Sequence, residues 1–161
     1  MKKCALILSL FTLVFCGCKQ DKLEPGEMKI PRLMVETRSV QYGGLGGEVV
    51  QLPVSESRIP LQKEPLVSEF DITNVELVKV EMGLALLIQT NEKGARALYR
   101  GTVSNMGGRI VLTVNGNAIG ARRIDGAIQN GNFYTFVEVD DEEIGQLVLD
   151  MKETIQQLQK R

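Results

Sequence analysis

Proline stops at residue 65 of this 161-residue chain, and that boundary constrains the fold more than any other single feature. All five prolines, Pro25, Pro31, Pro53, Pro60 and Pro65, precede it. Each fixes φ and lacks a backbone donor, so uninterrupted helices and central strands are expected only beyond them. Past that point, periodic segments follow one another closely. Residues 75–81 are a half-buried strand with Glu76, Lys79 and Glu81 turned to water, and Gly83 breaks it. Leu84-Ala85-Leu86-Leu87-Ile88-Gln89 is a continuous apolar run of the length expected for a strand buried on both faces. Asn91 is a good helix cap, with Glu92 in the first turn. Ala95, Leu98, Tyr99, Thr102, Val103 and Met106 then recur at helical spacing as one stripe, and Gly107-Gly108 supplies a left-handed stop. Residues 109–114 form a strand, Asn115-Gly116 is a strong hairpin signal, and residues 117–121 return beside it. After Asn130-Gly131-Asn132, residues 133–139 are an aromatic and β-branched strand. A final helix starts at Asp140, where the cap carboxylate and Glu143 fit a capping box. Its apolar face is Ile144, Leu147, Val148, Met151, Ile155 and Leu158. Lys160 and Arg161 complement its dipole.

Burying two helical stripes against these strands predicts an α+β fold, a single mixed or antiparallel sheet with two amphipathic helices packed on one face. Upstream, residues 49–54 and 58–62 are short, β-branched and interrupted by proline, so they are edge strands or extended segments. The glycine tract 43–47 lacks the preceding strand, the following helix and the Lys-Ser/Thr of a phosphate loop, and is a linker. The domain is expected over 48–161. Residues 18–47 form a tether with one short strand at 33–37.

The first 17 residues have the grammar of an address. Met1-Lys2-Lys3 precedes an apolar run from Cys4 through Phe15, then Gly17-Cys18 and the polar Lys19-Gln20-Asp21-Lys22. That run is too short for a comfortable bilayer span, which takes ~20 residues. Cleavage before Cys16 would put bulky Phe15 where a small side chain is needed, whereas Cys18 follows Gly17. The segment resembles a bacterial lipoprotein signal, with Cys18 as the lipidated first residue of the mature chain. An ordinary secretory signal is the alternative. Cleavage there removes Cys4 and Cys16, so no disulfide can form within one mature chain. Losing Lys2 and Lys3 takes the formal charge from −1 to −3. Several acyl chains make anchoring effectively permanent. Lys19 is not the Asp that favours inner-membrane retention in proteobacteria, so a periplasm-facing site on the outer membrane is favoured over the inner.

Composition excludes several chemistries. There is no histidine, hence no Ser-His-Asp or Cys-His couple and no imidazole metal site,. The near-neutral balance argues against nucleic acid as a partner. Asp140, Asp141, Glu142 and Glu143 are the densest carboxylate cluster, but a helix N-terminus favours negative charge for its own reasons and the alternating ligands of a calcium loop are absent. No serine has a neighbouring activator. No metal, cofactor or catalytic residue is therefore assigned.

Residues 59–149 carry a family resemblance. Leu87-Ile88-Gln89-Thr90-Asn91-Glu92-Lys93-Gly94-Ala95-Arg96 resembles the F-x-L-T/D-x-x-G-A-x-x-F segment in the head of the first periplasmic domain of SecD, a component of the bacterial protein-export machinery. Residues 105–124, beginning Asn105-Met106-Gly107-Gly108-Arg109 and containing Asn115-Gly116, resemble its N-x-G-x-x-L-A-I-V-L-D-G-x-V-x-S-A-P-x-I. Lys63-Glu64-Pro65-Leu66-Val67 through Asp71-Ile72 matches its k-E-P-L-V-x-x-x-D-I. Asn115 stands where Asp is usual, and Arg122 stands where the family places Pro. The resemblance implies a head that contacts polypeptides. The transmembrane bundle that couples proton movement to export in the family has no counterpart here, so it does not imply force generation.

The reading is thus a noncatalytic, membrane-tethered binding module of the cell envelope, linked to protein export or envelope assembly. Its partner is a polypeptide or an envelope protein complex, held by adding a strand to a sheet edge. The adjacent charges Arg122 and Arg123 are candidate partner contacts. Tyr99, Phe133, Tyr134 and Phe136 are expected mostly in the core. The alternative is a small envelope enzyme or enzyme inhibitor that uses the surface carboxylates.

Overall fold

The computed structural model describes residues 27–37 and 47–160. In chain order the elements are β1 (Pro31–Val35), β2 (Val49–Gln51), β3 (Arg58–Pro60), β4 (Ile72–Val80), β5 (Gly83–Thr90), α1 (Glu92–Ser104), β6 (Arg109–Val114), β7 (Asn117–Arg123), β8 (Asn132–Thr135) and α2 (Asp141–Gln159). The class is α+β. The strands divide, however, among three antiparallel sheets, β1-β6-β7, β2-β3 and β4-β5-β8, instead of the single sheet expected. The address, Cys18 and residues 43–46 of the glycine tract lie outside the described residues.

The split follows from β6, in which every residue from Ile110 to Val114 is buried. Successive strand residues face opposite ways, so such a strand needs cover on both sides. Ile110, Leu112 and Val114 enter the main core, with Leu33 of β1, Val75, Leu86, Ile88 and Phe133 of the β4-β5-β8 sheet, and Leu98, Ile144, Val148, Met151 and Ile155 of the helices. Val111 and Ala118 face the other way, into a smaller core made by Val50, Leu52, Ile59 and Leu61. The β2-β3 hairpin is therefore a lid on the second face of the β1-β6-β7 sheet. One sheet with helices on a single side would have left Val111 wet.

The expected tether is also shortened. β1 pairs with β6 from Pro31↔Val114 to Val35↔Ile110, and Leu33 is fully buried. The far edge of β1 is occupied in turn, since Leu33 N–H donates to Val67 O at 3.0 Å and Leu66 N–H to Leu33 O at 2.8 Å. Residues 28–35 thus belong to the fold, although they lie among the prolines.

Helix α1 starts as expected, with Asn91 Oδ1 accepting the Gly94 N–H at 2.8 Å. Gly107, at φ 77°, makes the left-handed exit,. Its apolar stripe is only partly used. Leu98 and Thr102 are buried, whereas Tyr99, Val103 and Met106 are exposed. The side of the helix that meets the fold carries Gly94 and Gly101, where a β-carbon would crowd Thr90 and Leu66 respectively. That close approach rotates the stripe's flank outward. On α2, Ile144, Val148, Met151 and Ile155 are buried as expected. Its cap differs from the capping box, because Asp140 makes no side-chain cap bond and only its carbonyl accepts, from Glu143 N–H at 2.9 Å and Ile144 N–H at 3.0 Å.

Three polar contacts pin the joints. Arg32 forks onto Glu69 at 2.7 and 2.8 Å, and Arg109 onto Glu36 at 2.9 and 2.7 Å. Asp71, at the start of β4, accepts from Ser68 Oγ at 2.8 Å and Lys93 Nζ at 3.2 Å, while its carbonyl accepts Asn91 N–H at 2.9 Å. The hydrogen-bonded Arg32 fork holds the Glu69 carboxyl below its ordinary value. Burial pushes the Asp71 carboxyl up, but the bonds from Ser68, Lys93 and Asn91 together outweigh it and leave it lowered.

Leu33→Ala should destabilise the fold by about 2–5 kcal/mol, because it opens a cavity between β1 and the main core. A tether lying outside the domain would show no change in urea midpoint. Glu69 and Asp71 both have folded values depressed below the unfolded ones, so each adds stability above the ordinary carboxylate range, about pH 4, that is lost as pH falls through the folded values. Urea midpoints measured from pH 7 to pH 2.5 should drop in that acid range, and the drop should shrink in Glu69→Gln and Asp71→Asn.

Candidate functional site: an apolar groove between two sheets

The β4-β5-β8 sheet has one face in the core and one turned outward. Leu86, Ile88 and Phe133 face inward. The opposite set follows from the register: Val78 lies opposite Ala85, Val80 opposite Gly83, and Leu87 opposite both Glu76 and Tyr134,. Of the apolar run expected to be buried on both faces, Ala85 to Ile88 are buried, whereas Leu84 at its start is exposed and Gln89 at its end is half-buried. Around it the outward face is apolar near the β4-β5 turn and polar at the other end, where Asn74 Nδ2 donates to Glu76 at 2.8 Å and Gln89 at 2.9 Å.

The apolar end continues onto β7. Glu138 N–H donates to Ile119 O at 2.7 Å, and Gly120 lies so close to the Phe136 carbonyl that any β-carbon would overlap it. A glycine at 120 is what lets the edge of the β1-β6-β7 sheet close on the segment after β8. Arg122, two residues on, spans the same seam and donates from Nη1 to Tyr134 O at 3.1 Å. The result is a groove of about 490 Å³ lined by Val80, Met82, Ala85, Ala121, Arg122, Tyr134 and Phe136, with Glu81 at its lip. Met82 is 84% exposed, and Tyr134 and Phe136 are open to solvent. Such clustering of exposed apolar side chains is unlike the scattered singles of an ordinary surface.

Of the candidate residues, Arg122 is in this groove. Arg123 is not: its side chain lies 3.5 Å from Asp125, and both are well exposed. The two arginines meet instead beyond the groove, where both line a smaller pocket of about 170 Å³ with Asp125 and Gly126. The expectation that the aromatics are mostly core holds for Phe133 alone, since Tyr99, Tyr134 and Phe136 are exposed. Phe133 and Tyr134 alternate on one strand and so had to part. Tyr99 lies on the outward flank of α1, where a shallow pocket of about 510 Å³ also involves Ala95, Arg96, Arg100 and Gln129. Met82 carried no sequence signal beyond an apolar residue in a turn. The apolar outward pairs Val78/Ala85 and Val80/Gly83 were legible only once the register was known.

The carboxylates do not converge. Among the described residues, no three of His, Cys, Asp and Glu come close enough to hold a metal ion. Glu138, two residues past Phe136, has a structural role. Its Oε2 accepts the N–H groups of Val54 and Ser55, both at 2.8 Å, tying the β2-β3 turn to the segment after β8. Burial raises this carboxyl, and those donors outweigh it and hold the group below its ordinary value. The lining of the groove is apolar apart from Glu81, Arg122 and Thr135, whose hydroxyl donates to the Phe136 carbonyl at 3.0 Å.

No helix among the described residues is long and apolar enough to cross a membrane. No family model matches the chain, and no curated protein matches it. Solved structures do. A structure of SecDF, described as a membrane component that enhances protein export, matches 80% of this chain and 64% of its own length, with a TM-score of 0.59 and 16% identity. SecDF in its super-membrane-facing form matches 78% of this chain with a TM-score of 0.58 and 15% identity, over 19% of its own length. This chain therefore spans less than two thirds of either. At such identity the likeness is one of fold, and the fold is SecD-like.

Proposed function

We propose that this protein is a noncatalytic, lipid-anchored head that holds polypeptides in the cell envelope, in association with protein export or envelope assembly. The observation that carries the reading is the groove, an apolar trough on a SecD-like fold with a single cation in its wall. Arg122 is paired with no carboxylate among the described residues. The preferred occupant is an extended polypeptide segment whose apolar side chains meet Met82, Tyr134 and Phe136 and whose carboxylate meets Arg122. Aromatic side chains supply large contact areas at low entropic cost, and an Arg-carboxylate pair fixes register. SecDF is described as enhancing protein export; a tethered head that holds emerging chains fits that setting. Cys18 is the anchor in this reading, on the periplasm-facing side of the outer membrane. For the rival carboxylate-based enzyme, no three acidic side chains among the described residues come close enough to share a metal ion.

Two measurements test the reading. Binding of a fluorescein-labelled, reduced and carboxymethylated polypeptide should weaken by about tenfold, near 1.4 kcal/mol, in the double variant Tyr134→Ala/Phe136→Ala, and less in Arg122→Ala. Asp141→Asn/Glu142→Gln should bind like the unaltered chain. Groove variants that bind normally, beside a carboxylate variant that does not, would reverse the assignment. In cells fed radioactive palmitate, label should enter the protein and vanish in Cys18→Ser; an unlabelled protein means that the anchor is wrong.

A further inference from the structure

The Asn115-Gly116 turn does more than reverse the chain. Both residues are left-handed, at φ 51° and 86°, as a two-residue hairpin of this kind requires,. Asn115 also turns its amide onto the incoming N-terminal segment. Its Oδ1 accepts Ile30 N–H at 2.9 Å, its Nδ2 donates to Met28 O at 2.9 Å, and its own N–H donates to Ile30 O at 3.0 Å. Between them, Lys29 N–H donates to Thr154 Oγ1 at 2.9 Å, and that hydroxyl is itself buried and donates to Asp150 O. Residues 28–30 are thus strapped to the fold from two elements before β1 begins. An aspartate at 115 would keep the turn and the contact to Ile30, but it has no donor for the Met28 carbonyl.

The strap fixes where the anchor end of the chain leaves. Pro31, Val114 and Asn117 stand side by side at one end of the β1-β6-β7 sheet. Ile110 and Arg122 stand at the other, about 14 Å away along β6 at ~3.4 Å per residue,. Met28 therefore enters at the pole opposite the groove wall at Arg122. A pull between the N-terminal end and the groove runs along β1 and β6, and stretches their ladder in shear, where all of its hydrogen bonds resist together. A pull between the N-terminal end and the neighbouring Asn117 would instead open the same ladder one pair at a time.

We propose that Asn115 is a latch tying the anchored end of the chain to the fold, and that it places the β1-β6 ladder in shear between the anchor and a polypeptide held in the groove. This rests on the reading of Cys18 as anchor and of the groove as the polypeptide site. The latch and the shear geometry are measured without either, so the two can fail separately.

The test uses the unprocessed full chain made by membrane-free translation, so that the Cys18 thiol is unacylated, and kept in mild detergent, with Cys4→Ser and Cys16→Ser so that Cys18 carries one handle for single-molecule pulling. The second handle is on Gly126→Cys, an open position beyond Arg123 where an added side chain meets nothing, or on exposed Asn117→Cys. The chain should yield at a force at least twofold higher with the Gly126 handle than with the Asn117 handle. In the Asn117 geometry, Asn115→Asp should lower the yield force. Asn115→Gly, which keeps the left-handed turn, should speed hydrogen exchange at the Ile30 amide by at least tenfold while the β6-β7 amides remain protected. Equal forces in the two geometries overturn the shear path. Unchanged Ile30 protection in Asn115→Gly, or an unchanged force in Asn115→Asp, overturns the latch. Absence of fatty-acid label at Cys18 would defeat the anchor reading and leave these results standing.

Discussion

Burial of β6 on both faces is the constraint from which the rest of the molecule follows. A strand whose alternating residues Ile110, Leu112 and Val111 all leave water must be covered twice, and the chain does so with different material,. The helices and the β4-β5-β8 sheet cover one side. The β2-β3 hairpin covers the other. Both ladder edges of β6 are filled too, by β1 and β7, so the strand is enclosed in every direction. Of the two ends of this enclosed strand, one receives the incoming N-terminal segment and the other supports the groove.

Where the two larger sheets adjoin, a closed seam would have buried the side chains of both. Instead the backbone approach at Gly120 brings β7 to the segment after β8 without a side chain between them, leaving Tyr134, Phe136 and Met82 around a trough. Polar contacts hold the rims. Arg122 bonds the Tyr134 carbonyl, and Glu138 bonds the backbone of Val54 and Ser55. The stability of the seam rests on backbone partners, which leaves the apolar side chains available to a ligand. Exposed apolar surface is costly in an isolated chain and becomes favourable when a partner covers it.

Local features were legible from the sequence. The Asn91 cap, the Asn115-Gly116 hairpin, the buried centre of β5 and the core face of α2 each depend on residues within a few positions of one another. What depended on distant partners was not. β1 read as one short strand, at 33–37, inside a tether, because its proline neighbours and short length give no hint that Val114 awaits Pro31 83 residues later. The three-sheet division depended on which elements covered β6. Tyr99 read as core because helical spacing defines a stripe but not its contact angle, and Gly94 and Gly101 turned that stripe aside. Of the two charges marked as partner contacts, only Arg122 reaches the apolar groove, which a pair of adjacent letters conceals until the neighbours of β7 are known.

The central claim is that the groove touches polypeptides on their way through the envelope, and photocrosslinking in living cells measures this most directly. With p-benzoylphenylalanine placed at Tyr134, irradiation during a pulse of radiolabelled synthesis should give adducts with newly made exported chains that disappear during the chase, while the same probe at exposed Glu153 on α2 gives none. Adducts equal at both positions, or none at Tyr134, would contradict it.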